Sequence, residues 1–388
     1  RGYAPSAAAM LPSDRPILGL GADLKNAITL VIEGQASVSQ HIGDLAHYQS
    51  FCAFSETIRD LLSMYEVDPE KLLVVHDNHP QYVSTLRASE FSSSEKFEVQ
   101  HHRAHVASVL AERGVWDKRV VGVSFDGTGY GDDGTIWGGE FFAGSVREGF
   151  DRVAHLRRAA LPGGDAAASH PVQAAAGFLA QLNNLPDLAA PPFSFPLRYF
   201  EALQLVHTKV RSFETTSVGR LFDTAAALLG FAREVTFEGQ AAMWVEHVAA
   251  HACSSEAYPF PFKDQELDFR PLLEAVVRDR VRGRDREEIA RAFQLGIAAG
   301  IRDASIALCH MQRADTVVLS GGVFQNEMLL RDLRGTLESA GLQIWTNHVV
   351  PANDGGISLG QAAIAALAKP NSSSRLYSAE SERLSSVT

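Results

Sequence analysis

The feature of this sequence that most limits its possible folds is a strand–turn–strand unit that occurs twice, about 100 residues apart. In the first copy, apolar residues 17–20 lead through a polar turn at 21–26 into a second apolar run at 27–32. In the second copy, residues 120–125 lead through a glycine-rich turn at 126–134 into a strand-like run at 136–146. Two hairpins can look alike by chance. A duplicated unit nevertheless suits a chain of 388 residues, which is too long for one compact core and predicts two lobes.

The rest of the chain predicts the boundaries of these lobes. Residues 1–13, which contain prolines and an alanine-rich run, are predicted to be a linker. A first lobe is expected over 14–113 and a second lobe with helical insertions over 114–369. The polar, serine-rich segment 370–388 is expected to be a flexible tail. This order of strands and helices predicts an α/β protein with a duplicated mixed β-sheet core.

Short apolar runs bounded by polar residues predict further buried strands, and helical spacing predicts helices. The further strands are expected at 36–40, 72–75, 97–99, 316–320 and 342–346. The helices are expected at 51–65, 219–229, 326–340 and 356–368.

Composition narrows the class of partner. A formal net charge of −11 repels phosphate backbones, so no nucleic-acid partner is expected. No run of 18 uninterrupted apolar residues occurs, so no membrane span is predicted. The three cysteines (Cys52, Cys253 and Cys309) are far apart and form neither a disulfide framework nor a zinc-binding pair. A reducing, cytoplasmic location fits this cysteine usage.

A histidine-rich segment at 100–105 is the first candidate site. His101 and His105 are four residues apart, so on a helix they share one face and can bind a single metal ion. A zinc protease needs a glutamate directly after the first histidine, and His102 stands there instead, so that class is excluded. The alternative is a pair of surface histidines at the start of a helix, and the segment alone leaves both interpretations open.

The second candidate is the glycine-rich segment 126–134. An aspartate at the end of a strand, followed by glycines that expose backbone N–H groups, is typical of a loop that holds phosphate. Asp126 could also offer its carboxylate to a metal ion. The alternative is a plain hairpin turn, but the density of glycine favours a binding loop.

Three further motifs each allow two interpretations. At 320–326 a buried strand leads into two glycines and a helix. One interpretation is an anion site at the start of the helix, where Gly322 would let a flat adenine approach the backbone. The other is a tight turn in which Asn326 caps the helix. Asp354 could complete the metal site or cap the last helix. Asp223 could bind the ribose hydroxyls of a nucleotide or lie on a solvated helix face.

In order and spacing, these motifs resemble the HypF family of carbamoyltransferases, which act in building the cyanide ligands of NiFe hydrogenases. The resemblance extends over roughly residues 1–368, and weaker resemblances link the chain to antibiotic O-carbamoyltransferases and to the tRNA threonylcarbamoyl transferase TsaD. The segments that carry it are 21–26, 39–45, 99–105, 126–139, 162–167, 219–230, 238–242, 319–326 and 353–356.

The resemblance implies a two-lobed actin/Hsp70-like (ASKHA) ATPase fold that binds ATP, or the derived carbamoyl-adenylate and AMP, in its cleft. It implies one transition metal, with Fe(II) favoured and Zn or Mn as alternatives, held by His101, His105, Asp126 and Asp354. The implied catalytic residues are Lys25, which would face the phosphates, and the two histidines. The implied nucleotide-binding residues are Gly127, Thr128, Gly129, Gly131, Asp223, Gly239, Gly322 and Asn326.

The implied reaction is transfer of a carbamoyl group from carbamoyl-adenylate to a cysteine thiol of HypE. Family members make this intermediate from carbamoyl phosphate and ATP with a YrdC-like domain, which follows acylphosphatase and zinc-motif domains. None of these three is present in the sequence, so a YrdC-like partner or upstream module is expected. Residues 168–171 also differ from the family's usual Arg-Glu-Pro stretch. The alternatives are hydrolysis of carbamoyl phosphate or its adenylate, a non-catalytic docking subunit, and TsaD-like tRNA modification, which the charge disfavours.

Overall fold

The chain folds into two lobes, each built on a mixed β-sheet, in a computed structural model that describes residues 6–91 and 94–368. The segment 370–388, predicted to be a flexible tail, lies outside the described residues. The two-lobed α/β architecture predicted from the sequence is confirmed.

The first lobe alternates strands and helices from residue 6 to residue 111. Its strands are β1 (Ser6–Met10), β2 (Ile17–Gly19), β3 (Thr29–Ile32), β4 (Gln35–Val38), β5 (Leu73–Asp77) and β6 (Glu95–Val99). Its helices are α1 (Tyr48–Met64), α2 (Val83–Ser89) and α3 (His101–Ala111). Among the described residues these strands form a six-stranded sheet in the order β1-β4-β3-β2-β5-β6.

The second lobe contains the larger sheet and most of the helices. Its strands are β7 (Val120–Tyr130), β8 (Ile136–Ser145), β9 (Gly149–Leu156), β10 (Ala159–Pro162), β11 (Ser212–Thr215), β12 (Phe262–Lys263), β13 (Glu266–Leu267), β14 (Thr316–Ser320) and β15 (Gln343–Thr346). Its helices are α4 (Asp165–Ser169), α5 (Pro171–Leu179), α6 (Leu197–Thr208), α7 (Val218–Leu229), α8 (Gln240–Ala249), α9 (Arg270–Val281), α10 (Arg286–Gln312), α11 (Glu327–Ser339) and α12 (Ile357–Leu367). Short 3-10 turns at Gly322–Gln325 and Asp354–Gly356 precede α11 and α12.

The two sheets repeat one topology. In the first lobe, β2 pairs antiparallel with β3 and parallel with β5, and the sheet continues through β4 on one side and β6 on the other. In the second lobe, β7 pairs antiparallel with β8 and parallel with β14, and the sheet continues through β9 and β15 in the same way. The repeated strand–turn–strand unit in the sequence therefore marks a real duplication of the core.

Two helices pack against each other between the sheets. Each follows the last parallel strand of its own lobe, α3 after β6 and α12 after β15. All eleven residues of α3 are buried, and the apolar side chains of both helices belong to one core that also includes Ile17 of β2 and Val318 of β14. Gly360 of α12 makes this close packing possible, because a methyl group added there would lie only 1.8 Å from the carbonyl oxygen of Ala104.

The structure corrects several local predictions. Residues 6–10, predicted to be part of a linker, form β1, which pairs antiparallel with β4. Residues 126–130, predicted to be part of a turn, continue β7, and its pairing with β8 is irregular between Phe125 and Gly129. Backbone pairing within the sheet overrides the turn preference of the glycines here, and only 131–134 form the turn.

Helix α10 is long and apolar enough to cross a membrane by length and composition alone. In its most apolar 18-residue window, 67% of the residues are buried inside the protein, as expected of the central helix of a folded core.

Candidate functional site

The histidine cluster lies at the amino-terminal end of α3, where no residue of the helix reaches solvent. Gln100 caps this end, because its side-chain oxygen accepts a hydrogen bond from the backbone N–H of Arg103. A buried imidazole needs a hydrogen-bonding partner or a metal ion to offset the loss of hydration. The interior position of α3 therefore excludes the interpretation of these residues as surface histidines.

Four side chains from three parts of the chain meet beside α3. His101 and His105 come from the helix, Asp126 from β7, and Asp354 from the turn before α12. One ligand atom of each lies within 4.8 Å of those of the other three, and all four residues are buried. His105 Nε2 is 2.9 Å from Asp126 Oδ2, and Asp354 Oδ1 is 3.7 Å from the Nε2 atoms of both histidines. The residues that the sequence predicted as metal ligands thus converge on one point.

The hydrogen bonds around His101 suit a metal ion at this point. Its Nδ1 is 2.9 Å from Asp77 Oδ2, whereas its buried Nε2 has no hydrogen-bond partner and faces Asp126 and Asp354 at 3.7 Å. A carboxylate that accepts the Nδ1 proton of a histidine leaves Nε2 unprotonated and orients it toward a metal. The donor set and the bare nitrogen therefore fit a transition-metal ion.

The charges of the cluster depend on one another. Burial would lower the pKa of His101, but the neighbouring carboxylates of Asp77 and Asp126 outweigh burial and raise that pKa well above its usual value. Burial would raise the pKa of Asp126, but the imidazoles of His101 and His105, 3.7 and 2.9 Å away, hold that pKa well below the usual range. A carboxylate-rich pocket that attracts protons in this way also attracts a metal cation, which competes with protons for the same atoms.

The structure also shows the surroundings of His102, which stands apart from the cluster, and of Asp354, which belongs to it. His102 turns its Nδ1 toward the side-chain amide of Gln100 at 3.1 Å, and burial holds its pKa well below the usual value. Asp354 does not cap the last helix, because the N-cap residue of α12 is Gly356 and no side chain caps it, while Asn353 caps the 3-10 turn before it by accepting from Gly355 N. Asp354 is therefore free to face the histidines.

The glycines of the segment 126–134 differ in their surroundings. A methyl group at Gly129 would lie 2.5 Å from the imidazole of His102, and one at Gly131 would lie 2.2 Å from Trp137 Nε1. These two glycines are needed for packing, and their contact with a nucleotide stays a prediction. Gly127 instead has room for a side chain, since a methyl group there would lie at ordinary contact distances of 3.4 Å from Glu238 Oε1 and 3.6 Å from Arg220 Nη2. Thr128, between Gly127 and Gly129, lies on β7 and is partly exposed.

The other predicted nucleotide-binding residues lie on elements of the second lobe. Gly239 begins α8 with a φ of 79° and has open space at its α-carbon. A methyl group added at Gly322 would lie only 2.8 Å from Asp126 Oδ1. The backbone N–H of Gly322 donates a hydrogen bond to the same oxygen at 3.3 Å. Asn326 caps α11 by accepting from Leu329 N, and its amide nitrogen donates to Gln294. Of the two interpretations of Asn326, the structure shows the cap, and its contact with a nucleotide stays a prediction.

Asp223 is buried on α7, 3.0 Å from Arg220 one turn earlier. Burial raises the pKa of Asp223 to about 6, against the opposing effect of Arg220, and Glu238 raises it further. Asp223 Oδ2 accepts no hydrogen bond. It is therefore not on a solvated helix face, and a carboxylate without donors suits the hydroxyl groups of a ribose.

Lys25 belongs to the first lobe and reaches across the cleft to the second. Its backbone has a φ of 47°, in the left-handed region that non-glycine residues rarely adopt. Its ammonium group forms an ion pair with Glu238, just before α8. Burial would lower the pKa of Lys25, but Glu238 and the more distant Asp354 and Asp126 raise it. The lysine therefore stays charged and lies on the metal-site side of the cleft.

Four residues with evident roles were not identified from the sequence. They are Asp77, Tyr82, Arg220 and Glu238. Asp77 accepts hydrogen bonds from both His101 and the backbone of His79, and Tyr82 stacks on His79 with ring centroids 4.1 Å apart. Burial and nearby carboxylates, Asp77 foremost, raise the pKa of Tyr82 well above its usual value. An aspartate at the end of a buried strand was a usable signal for Asp77, whereas no local pattern distinguishes Tyr82.

Comparison with known proteins gives the same family for both lobes. Residues 12–112 match the model of the HypF Kae1-like domain, and residues 122–361 match that of the carbamoyltransferase Kae1-like domain, second subdomain. Carbamoyltransferase HypF2 of Cupriavidus necator is 34% identical over an alignment of 408 residues, which covers 96% of this chain and 49% of that protein. A carbamoyltransferase HypF homolog of the same organism is 32% identical, and the alignment covers 91% of that protein and 90% of this chain.

A solved structure is similar over both lobes. A crystal structure of full-length HypF in the phosphate- and nucleotide-bound form superposes with a TM-score of 0.86 at 36% sequence identity, over 94% of this chain and 57% of that one. The chain thus spans about half the length of the full-length relatives that it matches. The similarity to Kae1-like domains confirms the two-lobed actin/Hsp70-like (ASKHA) fold predicted from the sequence.

Proposed function

Because this chain belongs to the HypF family of carbamoyltransferases, we propose that it transfers a carbamoyl group from carbamoyl-adenylate to the cysteine thiol of a HypE-type acceptor in hydrogenase maturation. The observation that carries the proposal is the convergence of His101, His105, Asp126 and Asp354 on one point, near which Lys25 of the first lobe pairs with Glu238 of the second. The relative solved with phosphate and nucleotide supports a nucleotide in that cleft.

The reaction needs a held leaving group and a polarised carbonyl. The acceptor thiolate attacks the carbamoyl carbon, a C–S bond forms, the bond to the phosphate oxygen breaks, and AMP leaves with the electron pair. Lys25 would stabilise the charge that develops on the departing phosphate. Asp223 would hold the ribose, and the glycine at position 239 leaves room for the base on α8.

The ligand cluster would hold one transition metal. When bound at His101, His105, Asp126 and Asp354, the ion would polarise the carbamoyl carbonyl as a Lewis acid. Mixed imidazole and carboxylate donors suit Fe(II), Zn(II) or Mn(II), and we favour Fe(II). Asp77 fixes the ring of His101 in the orientation that this coordination requires.

The proposal assigns to this chain the transfer of the carbamoyl group and not the synthesis of carbamoyl-adenylate. It spans about half of its full-length relatives, so we propose that a YrdC-like partner or module supplies the carbamoyl-adenylate. The carbamoyltransferase HypF homolog of Cupriavidus necator, which is covered over 91% of its length, is a relative of similar length. A cytoplasmic location agrees with the cysteines of the described residues, all of which are free thiols.

Mass spectrometry of the acceptor tests the proposal. The metal-loaded protein is incubated with a HypE-type protein and with either carbamoyl-adenylate or carbamoyl phosphate plus ATP. We expect rapid carbamoylation of the cysteine from the adenylate, little from the second supply, and none with a His101→Ala, His105→Ala double variant.

Other outcomes would contradict parts of this proposal. Release of AMP without modification of the acceptor would indicate a hydrolase. Binding of the nucleotide without turnover would indicate a docking subunit. Rapid modification from carbamoyl phosphate and ATP would show that the two-lobed chain also performs the activation.

A further inference from the structure

The carboxylate of Glu238 occupies a position that is unusual for a glutamate. It forms an ion pair with Lys25 of the opposite lobe, and its Oε1 lies 3.4 Å from where a side chain of Gly127 would begin. Its side chain is 38% exposed, so it lies at the surface and not in the core. The carboxylate of Glu238 therefore lies between the ammonium group of Lys25 and the backbone of Gly127.

Arg220 is a second cation close to Gly127. The residue is 4% exposed, and its Nη2 lies 3.6 Å from the same point at Gly127. Its Nε and Nη1 donate no hydrogen bond, and its ion pair with Asp223 Oδ2 at 3.0 Å lacks hydrogen-bond geometry. A buried guanidinium with unsatisfied N–H groups is costly in free energy, and an anionic ligand that accepts them removes the cost.

We propose that Lys25, Arg220 and Gly127 form a subsite for a ligand phosphate, and that Glu238 occupies it as an internal stand-in until the phosphate displaces it. This inference rests on the proposed nucleotide cleft and adds the residues that receive the phosphate. Two cations and the backbone of a glycine suit a phosphate, whereas a carboxylate beside Lys25 would repel one.

Displacement of Glu238 links ligand binding to the contact between the lobes. A tethered carboxylate competes with a free phosphate at a high effective concentration, so the stand-in weakens the binding of ligands that carry a phosphate. Burial raises the pKa of Glu238 despite its pairing with Lys25, so the charged carboxylate is not strongly favoured where it lies. Entry of the phosphate breaks the Lys25–Glu238 pair and replaces it with a bond from Lys25 to the ligand.

Calorimetric titration of the metal-loaded protein with adenosine and with AMP tests the inference. Glu238→Gln should strengthen AMP binding by about three- to tenfold, as expected for removal of a partly buried ion-pair competitor, and should leave adenosine binding unchanged. Glu234→Gln is the matched control, since it removes the same charge from an exposed side chain on the same segment and should change neither affinity. Arg220→Lys should weaken AMP binding more than adenosine binding, which it can also affect because Arg220 pairs with Asp223.

Three results would overturn the inference. Weaker AMP binding in Glu238→Gln would make Glu238 a ligand group and not a stand-in. If Glu238→Gln changed the affinities for adenosine and for AMP equally, Glu238 would not occupy the phosphate position, although the proposed nucleotide site would still stand. Failure of the wild-type protein to bind either ligand would contradict the proposed cleft itself, and the inference with it.

Discussion

At the scale of single residues, the site depends on how buried charges are paired. Asp77 does not touch the proposed metal position, yet its two carboxylate oxygens accept from His101 Nδ1 and from the backbone of His79. The same carboxylate thus orients a proposed ligand and holds the loop that carries Tyr82. Asp126 likewise divides its oxygens between His105 and the backbone N–H groups of Gly127 and Gly322.

Replacement of Asp77 by asparagine should weaken metal binding without removing a ligand. We expect a loss of about 10- to 100-fold in metal affinity, because His101 loses the partner that fixes its tautomer and orientation. Competition with a chromophoric chelator measures the effect. Asp60→Asn, at an exposed position on α1, is the control. Unchanged affinity in Asp77→Asn would mean that the proposed metal does not depend on His101 Nε2.

The binding of adenosine should depend on pH through Asp223, whose pKa in the folded protein is about 6. Arg220 and Glu238 are the charged groups that face it. Ribose hydroxyls donate to the ionised carboxylate, so binding releases a proton below pH 6 and is favoured as the pH rises. We expect affinity about tenfold lower at pH 5 than at pH 8, with a plateau above pH 7.

Isothermal titration at several pH values checks this dependence, and adenosine is used because it has no phosphate to titrate. Asp223→Asn should bind weakly and lose the pH dependence. A profile of the same shape in that variant would assign the titration to another group.

At the scale of elements, the site depends on how closely α3 and α12 approach. Gly360 permits that approach, because any side chain there would meet the backbone of Ala104, one residue before His105. Asp354 lies in the turn that begins α12, so the distance between the two helices sets the distance between the proposed ligands.

Gly360→Ala should therefore destabilise the fold by about 1–3 kcal/mol and weaken metal binding, since the added methyl group forces the helices apart. Denaturant unfolding and metal titration measure the two effects. Gly335→Ala is the matched control: this glycine of α11 has no atoms near a new methyl group, so alanine should be neutral or stabilising by up to about 1 kcal/mol. Equal stability of the two variants would contradict the packing argument.

At the scale of the whole molecule, two copies of one sheet topology meet at the proposed site. The proposed metal ligands come from both copies, and Lys25 of one lobe pairs with Glu238 of the other. A ligand in the cleft contacts both lobes at once, so it stabilises the folded protein as a unit.

ATP or ADP should accordingly raise the melting temperature of the metal-loaded protein in proportion to the logarithm of ligand concentration. Asp223→Ala should reduce the shift through the ribose. Differential scanning fluorimetry over a range of nucleotide concentrations measures it. The absence of any shift with either nucleotide would contradict the assignment of the cleft.

The sequence by itself determined the duplicated α/β fold and the residues of the proposed metal site. Strand-like apolar runs and the spacing of His101 and His105 are local patterns, and the resemblance to a known family joined them to Asp126 and Asp354. Among the described residues, the positions of nine of the fifteen strands and four of the twelve helices followed from the same local patterns. Residues 6–10 did not, because an alanine-rich run becomes a strand only when β4 offers it an edge.

Only the tertiary structure decided which buried polar groups meet. Asp77 precedes His101 by 24 positions, and Glu238 follows Lys25 by 213, so no local pattern links them. The structure also separated glycines needed for packing, such as Gly129 and Gly131, from Gly127, which has room for a side chain. The physical reason is that secondary structure follows short-range periodicity, whereas pKa values, ion pairs and close approaches arise from neighbours that only the packing of the two lobes brings together.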